Sequence, residues 1–134
     1  MALEVHLVTP EREVWVGMAE MLIAHGVDGD VGILGGHAPL LAQLAIGVVK
    51  IQVEGGGELR AVVDGGFLHV GTHEGVTRAD VLAAQAELED EIDVEAARRA
   101  VARLQNHDTH LAEAELASAK AELQKALVRV NLAG

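Results

Sequence analysis

Glycine and proline divide this chain in two. Fourteen of the fifteen glycines and both prolines lie ahead of Val76, and none occurs from Val76 to Ala133. Both residue types punctuate turns, glycine because it takes positive φ without steric cost and proline because it fixes φ and lacks an N–H. The first part must therefore turn often, and the second is free to run as uninterrupted helix. We place the boundary near residues 84–87, which gives one domain over residues 1–86 and a second over residues 87–134.

Ahead of the boundary the hydrophobic period is two. Leu3, Val5 and Leu7 alternate with Glu4 and His6; Val14 and Val16 flank Trp15; and residues 21–24 are a short apolar run. Residues 48–53, VVKIQV, lead through Glu54, three glycines and Glu58 into residues 59–63. Residues 67–70 follow Gly65 and Gly66, which with Asp64 read as a turn, and residues 76–81 follow the turn at 71–75. Short β-branched runs separated by glycine turns predict an antiparallel β-sandwich or barrel.

Beyond the boundary the period is helical. Leu88, Ile92, Ala96, Ala100 and Leu104 fall four apart, and Leu116, Ala119, Leu123, Ala126 and Val130 step by three or four. Asn106, His107, Asp108 and Thr109 interrupt the pattern, and Asp108 or Thr109 suits a helix cap. So short a break makes the two helices antiparallel neighbours, a helical hairpin. Four of these ten positions are alanine, which buries little area per contact and leaves the hairpin lightly held.

Composition closes several possibilities. At 134 residues there is room for one domain or a small domain with an appendage, and half of the residues are apolar, so a core is available. A formal net charge of −11 argues against nucleic acid or anionic lipid as partner. Cysteine is absent, which removes disulfides, thiolate nucleophiles and thiolate zinc sites. No signal peptide is visible and no apolar run reaches the roughly 18 residues of a membrane span, so a cytoplasmic protein without direct membrane insertion is expected.

Few residues form a catalytic pattern. Seven histidines invite a metal reading, yet a turn separates His69 from His73, and His107 and His110 lie near the hairpin turn without an obvious set of three converging ligands, so no metal is expected. Residues 28–30, Asp-Gly-Asp, begin like a calcium loop, but its twelfth position falls on Pro39. The three glycines at 55–57 lack the following Gly-Lys-Ser/Thr of a P-loop. Trp15 suits sheet packing or a partner surface.

Four blocks carry a family resemblance. They are residues 29–41, GDVGILGGHAPLL; residues 64–70, DGGFLHV; residues 76–80, VTRAD; and residues 92–103, IDVEAARRAVAR. In this order and spacing they resemble the ε subunit of the bacterial and chloroplast F-type ATP synthase, over nearly the whole chain. That family often has proline where Gly35 stands, so this loop is looser. The resemblance implies an N-terminal β-sandwich followed by a C-terminal helical hairpin, with no catalytic site and no cofactor of its own. It implies a rotor subunit of a proton-driven motor, peripheral on the cytoplasmic face of the cell membrane. Its partners would be the γ subunit, the ring of c subunits and, through the hairpin, the α and β catalytic subunits.

The implied site residues follow from the same resemblance. The segment over residues 28–37 would be an exposed loop facing the c ring, with Asp30 and His37 in contact. The hairpin would swing between a folded and an extended state, opposing ATP hydrolysis when extended, with Lys120, Lys125 and Arg129 meeting a catalytic subunit. Arg98, Arg99 and Arg103 add a basic face on the first helix. Helical pairing of Glu95 with Arg99, and of Glu115 with Lys120, is the alternative use of such charges, at about 0.5 kcal/mol or less each. An ATP site seen in some relatives would use Ile92, Asp93, Ala97, Arg103, Lys125 and Arg129 here. Its motif arginine is replaced by Ala96, which removes a bidentate phosphate clamp. ATP binding is therefore expected to be weak or absent, and Asp93 also suits an N-cap.

Two other classes fit the residues less fully. One is a free-standing sandwich binding module that dimerises through its hairpin. The other is a small enzyme using His37, His69 or His73 with Asp64 or Asp80.

Overall fold

A computed structural model describes residues 2–105 and residues 125, 127 and 128. The chain divides into two compact units, Met1–Glu89 and Asp90–Gly134.

The first unit holds seven strands: β1 (Leu3–Val8), β2 (Glu13–Gly26), β3 (Gly29–Leu34), β4 (Leu40–Val53), β5 (Glu58–His73), β6 (Val76–Ala83) and β7 (Ala86–Leu88). They pair in the order β1-β6-β5-β4-β2-β3, β1 also pairs with β2, and β7 joins β5. Five strands thus close on themselves, while β3 and β7 extend the sheet. All pairings are antiparallel except β1 with β6, which is parallel.

The three long strands belong to both layers of this sandwich. The first half of β2 pairs with β1, and the second half pairs with β3 and β4. The second half of β5 pairs with β6, and its first half with β7. Here the structure corrects the sequence reading, which placed a turn at Gly65 and Gly66. Both lie inside the continuous strand β5, with φ of 68° and 130°. They crease the strand between layers instead of ending it. β2 likewise runs unbroken through Glu20, with a register shift between Ala19 and Met21.

The period-two pattern becomes the core. Leu3, Val5 and Leu7 of β1, Leu22 and Ala24 of β2, Ile33 of β3, Val49 and Ile51 of β4, Leu68 and Val70 of β5, and Ala79 and Val81 of β6 are fully buried. Trp15 packs partly buried against this cluster. Its ring occupies the space beside Gly17, where a Cβ would come within 2.7 Å of it. Packing is therefore the use the fold makes of Trp15.

In the second unit a 3₁₀ turn, Glu89–Glu91, leads to α1 (Val94–Gln105). The helix starts later than its sequence periodicity suggests. Leu88 belongs to β7, Ile92 precedes the helix, and within it Ala97 is buried while Ala96 is exposed. The cap explains the start: Ala96 N–H donates to Asp93 Oδ1 at 3.0 Å, and Ala97 N–H to the Asp93 carbonyl at 3.0 Å. That fixes the first turn and sets the buried stripe one residue on. Glu95 pairs with Arg98 at 3.5 Å, three residues on, in place of the expected Arg99. The second helix of the expected hairpin falls outside the described residues, save helical positions 125, 127 and 128.

Candidate functional site

The segment expected as one exposed loop is mostly strand. Residues 29–34 form β3, the sheet's outer strand, and only a two-residue turn and residues 35–39 are loop. Local chemistry explains it. Val31 and Ile33 alternate inward, so the segment has a core face despite its glycines. The turn at Val27 and Asp28 is tied down by Val27 N–H donating to the Gln43 carbonyl at 3.0 Å.

Asp30 therefore stands near the start of an edge strand and His37 in the loop beyond its end. Four residues of strand from Asp30 to Leu34 cover about 13 Å, and His37 lies three residues further. Asp30 is on β3 with its side chain 73% exposed. His25 of β2 is its directly opposed neighbour, and His25 Nδ1 donates to Asp30 Oδ1 at 2.8 Å. His37 Nδ1 donates to the Ala38 carbonyl at 2.7 Å, which leaves Nε2 as the acceptor of the ring.

Thr77 holds the His37 loop in place, and sequence reasoning missed it. Gly36 N–H donates to Thr77 Oγ1 at 2.7 Å, across 41 residues of chain. Thr77 is buried at the start of β6. The signal available was its place in the VTRAD block, where a lone hydroxyl opens a strand of inward-facing apolar residues.

A second surface lies on the outer side of β4, β5 and β6. Leu41 of β4 is 68% exposed, and Phe67 of β5 and Leu82 of β6 are 50% exposed each. Phe67 and Leu82 are direct cross-strand neighbours, and Leu41 is opposite His69 on the next row. Val16 and Met18 of β2 are exposed too, opposite His6 and Glu4 of β1. Along this face Asp80 forms an ion pair with Arg78 at 3.0 Å and lies 3.8 Å from His69 Nδ1. Large apolar side chains gathered outward with a charged border are the composition of an interaction surface.

The residues considered for catalysis are only partly brought together. His69, His73 and Asp80 line a shallow cleft with Gly71, Thr72 and Arg78. The Asp80 carboxylate there is engaged by Arg78. His37 and Asp64 are not in its lining. Among the described residues, no group of three His, Cys, Asp or Glu is placed to hold a metal ion.

Of the residues considered for ATP, Ile92 precedes the helix and is half-buried, Ala97 is buried and Asp93 caps α1. Lys125 is half-buried in helical backbone. The side chain of Arg103, and Lys120 and Arg129 entirely, lie outside the described residues.

Comparison with known proteins gives concordant matches. Residues 2–89 match the family described as ATP synthase, Delta/Epsilon chain, beta-sandwich domain. The chain is 40% identical to an ATP synthase epsilon chain of Bacillus pumilus over 131 residues, 98% of this chain and 96% of that one. It is 51% identical to an ATP synthase epsilon chain of Thermobifida fusca over 100 residues, 72% of this chain and 70% of that one. Among solved structures, it superposes on a chain of the Euglena gracilis mitochondrial ATP synthase assembly of OSCP, F1 and c-ring. That match has a TM-score of 0.81 at 23% identity and covers 94% of this chain and 78% of the other. The last likeness is one of fold.

Proposed function

The chain belongs to the ATP synthase delta/epsilon chain family, and from that premise we propose that it is a rotor subunit of the central stalk. In this role it has no catalytic site of its own and is peripheral to the membrane, on its cytoplasmic face. Among the described residues no helix is long and apolar enough to cross a membrane. The sandwich joins the γ subunit and the c ring. Asp30, near the start of β3, and His37, in the loop beyond its end, meet the ring.

The observation that carries this reading is the pair of unlike surfaces on one sandwich. An exposed carboxylate on an edge strand suits a basic rim. The apolar strip of Leu41, Phe67 and Leu82 suits a large partner, which we take to be γ. A free-standing domain would gain nothing from holding those three side chains in water.

Regulation is assigned to the second unit, whose helix begins only after the sandwich has closed. Lys120, Lys125 and Arg129 carry the contact with the catalytic subunits. Capture from membranes with the tagged full-length chain tests the rotor role: γ and c subunits are expected, and their absence refutes it. Ending the chain after Glu89 tests regulation. It keeps β7 and is expected to raise ATP hydrolysis by the assembled enzyme; unchanged hydrolysis refutes that part.

A further inference from the structure

His25 and Asp30 are tied together across two strands, and a third lies behind the imidazole. They are directly opposed on the β2–β3 hairpin, with His25 Nδ1 2.8 Å from Asp30 Oδ1. An ionised carboxylate only accepts, so Nδ1 carries the proton and donates. Behind the imidazole lies Gly47 of β4. A Cβ at that position would sit 3.1 Å from both Cβ and Cδ2 of His25 and 3.3 Å from its Cγ. Gly47 is not among the glycines with positive φ. Its backbone conformation is therefore open to any residue, and what a side chain there would meet is the ring. The imidazole is thus backed by one strand and aimed along another.

The consequence falls on Asp30. Among the described residues His25 is its one partner, and that bond uses Oδ1. Oδ2 is left for a cation from outside. A carboxylate 73% exposed on an edge strand would otherwise sample several rotamers. We propose that His25 is a positioning residue, which presets the Asp30 carboxylate so that a partner cation meets an ordered acceptor. The inference rests on the reading of Asp30 as a ring contact, and adds to it which residue makes that contact efficient. Ordering one side chain on association is worth a factor of about two to ten in affinity.

The test is a double-mutant cycle on full-length chains rebinding to membranes depleted of the natural subunit. Four proteins are titrated: the natural chain, His25→Ala, Asp30→Asn and the two together. His25→Ala is expected to weaken retention about two- to tenfold. In the Asp30→Asn background it is expected to do nothing further, since a residue acting through Asp30 loses its object. His25→Asn, whose amide N–H stands about where Nδ1 does, is expected to restore retention. Gly47→Ala, which displaces the ring, is expected to reproduce part of the loss. If Asp30→Asn is retained like the natural chain, the ring contact itself falls and this inference with it. If Asp30→Asn weakens retention but His25→Ala does not, or if the two losses add, only the positioning role of His25 is overturned.

Discussion

Replacing Gly66 by alanine tests whether the sandwich depends on long strands that cross between layers. Gly66 has φ 130°, outside the left-handed helical region that asparagine or aspartate tolerates. Holding a residue with a Cβ there costs about 1–3 kcal/mol. The added Cβ would also overlap the Leu82 carbonyl oxygen and lie 2.9 Å from Ala83 Cα. Both obstacles are backbone of β6, so no rotamer change relieves them. Relief requires opening the Gly66–Ala83 pairing, at about 0.5–1.5 kcal/mol per hydrogen bond lost. For one bond lost these give about 1.5–4.5 kcal/mol together. Against a typical total stability of about 5–15 kcal/mol this is a large share. At roughly 4–8 °C per kcal/mol for a unit of this size, the melting midpoint is expected to fall by about 6–36 °C.

Gly65 supplies the internal comparison. Its φ of 68° lies in the left-handed helical region, and a Cβ there would be 3.4 Å from the Leu44 carbonyl oxygen, an ordinary contact. Gly65→Asn is expected to cost about 1 kcal/mol, a shift of roughly 4–8 °C. Thermal unfolding of both variants followed by circular dichroism decides the matter. A Gly66→Ala midpoint within about 3 °C of the natural chain, or a Gly65→Asn midpoint below it, refutes the crease as drawn.

Three other outcomes follow from particular contacts. Thr77→Val keeps the side-chain volume but removes the acceptor of the Gly36 amide, so a loss of about 1–3 kcal/mol is expected, with faster hydrogen exchange at Gly36 by NMR; an unchanged exchange rate counts against Thr77 as the anchor of the His37 loop. Asp93→Ala removes the cap of α1 and is expected to cost about 1 kcal/mol of helix stability, read as lower ellipticity at 222 nm. Phe67→Ser with Leu82→Ser changes two side chains already half in water, so the melting midpoint is expected to move by only a few degrees while capture of γ falls at least about tenfold; undiminished capture removes this strip from the γ contact.

What was legible in the sequence was whatever depends on side-chain period. Leu3, Val5 and Leu7 alternate and are buried; Ala79 and Val81 do the same. In the structure the last strand ends at Leu88 and the first compact unit at Glu89. What was not legible is where glycine fails to end a strand. Gly65 and Gly66 look like any turn pair, because positive φ serves a turn and a crease equally. Only the pairing of Leu44 with Gly66 and of Ile46 with Asp64 shows that the ladder continues through them. Gly29 and Gly32 hid the strand β3 because glycine by itself reads as a turn signal. The helix start at Val94 was obscured because Leu88 and Ile92 continue the spacing four apart, while the Asp93 cap overrides it. At the candidate site the resemblance supplied Asp30 and His37. Their supports, His25 and Thr77, stand five and forty residues away in sequence. No short-range pattern exposes Thr77 at that separation, and His25 becomes Asp30's neighbour only once residues 29–34 are read as a strand.

The topology bears on how such a subunit carries load. β3, with Asp30, is bonded to β2 alone. The second half of β2 is bonded to β4, and β4 continues covalently from that pairing back to Leu41 on the apolar strip. A tangential force entering at the edge strand thus crosses two hydrogen-bonded ladders before covalent chain carries it to the other surface. Ladder bonds loaded in parallel across several residue pairs share the force, whereas a single loop would bear it alone. If Asp30 meets the ring as proposed, the strand identity of residues 29–34 has a use: an exposed loop bearing Asp30 would yield under torque, and a paired strand would transmit it. The weakest link is then the β2–β3 ladder, closed at its far end by the Gly36–Thr77 bond. Weakening that bond should lower torque coupling before it lowers binding, so ATP-driven proton pumping by a Thr77→Val assembly should fall more than its rebinding affinity does. Equal losses in both measurements would mean that the rim serves attachment only.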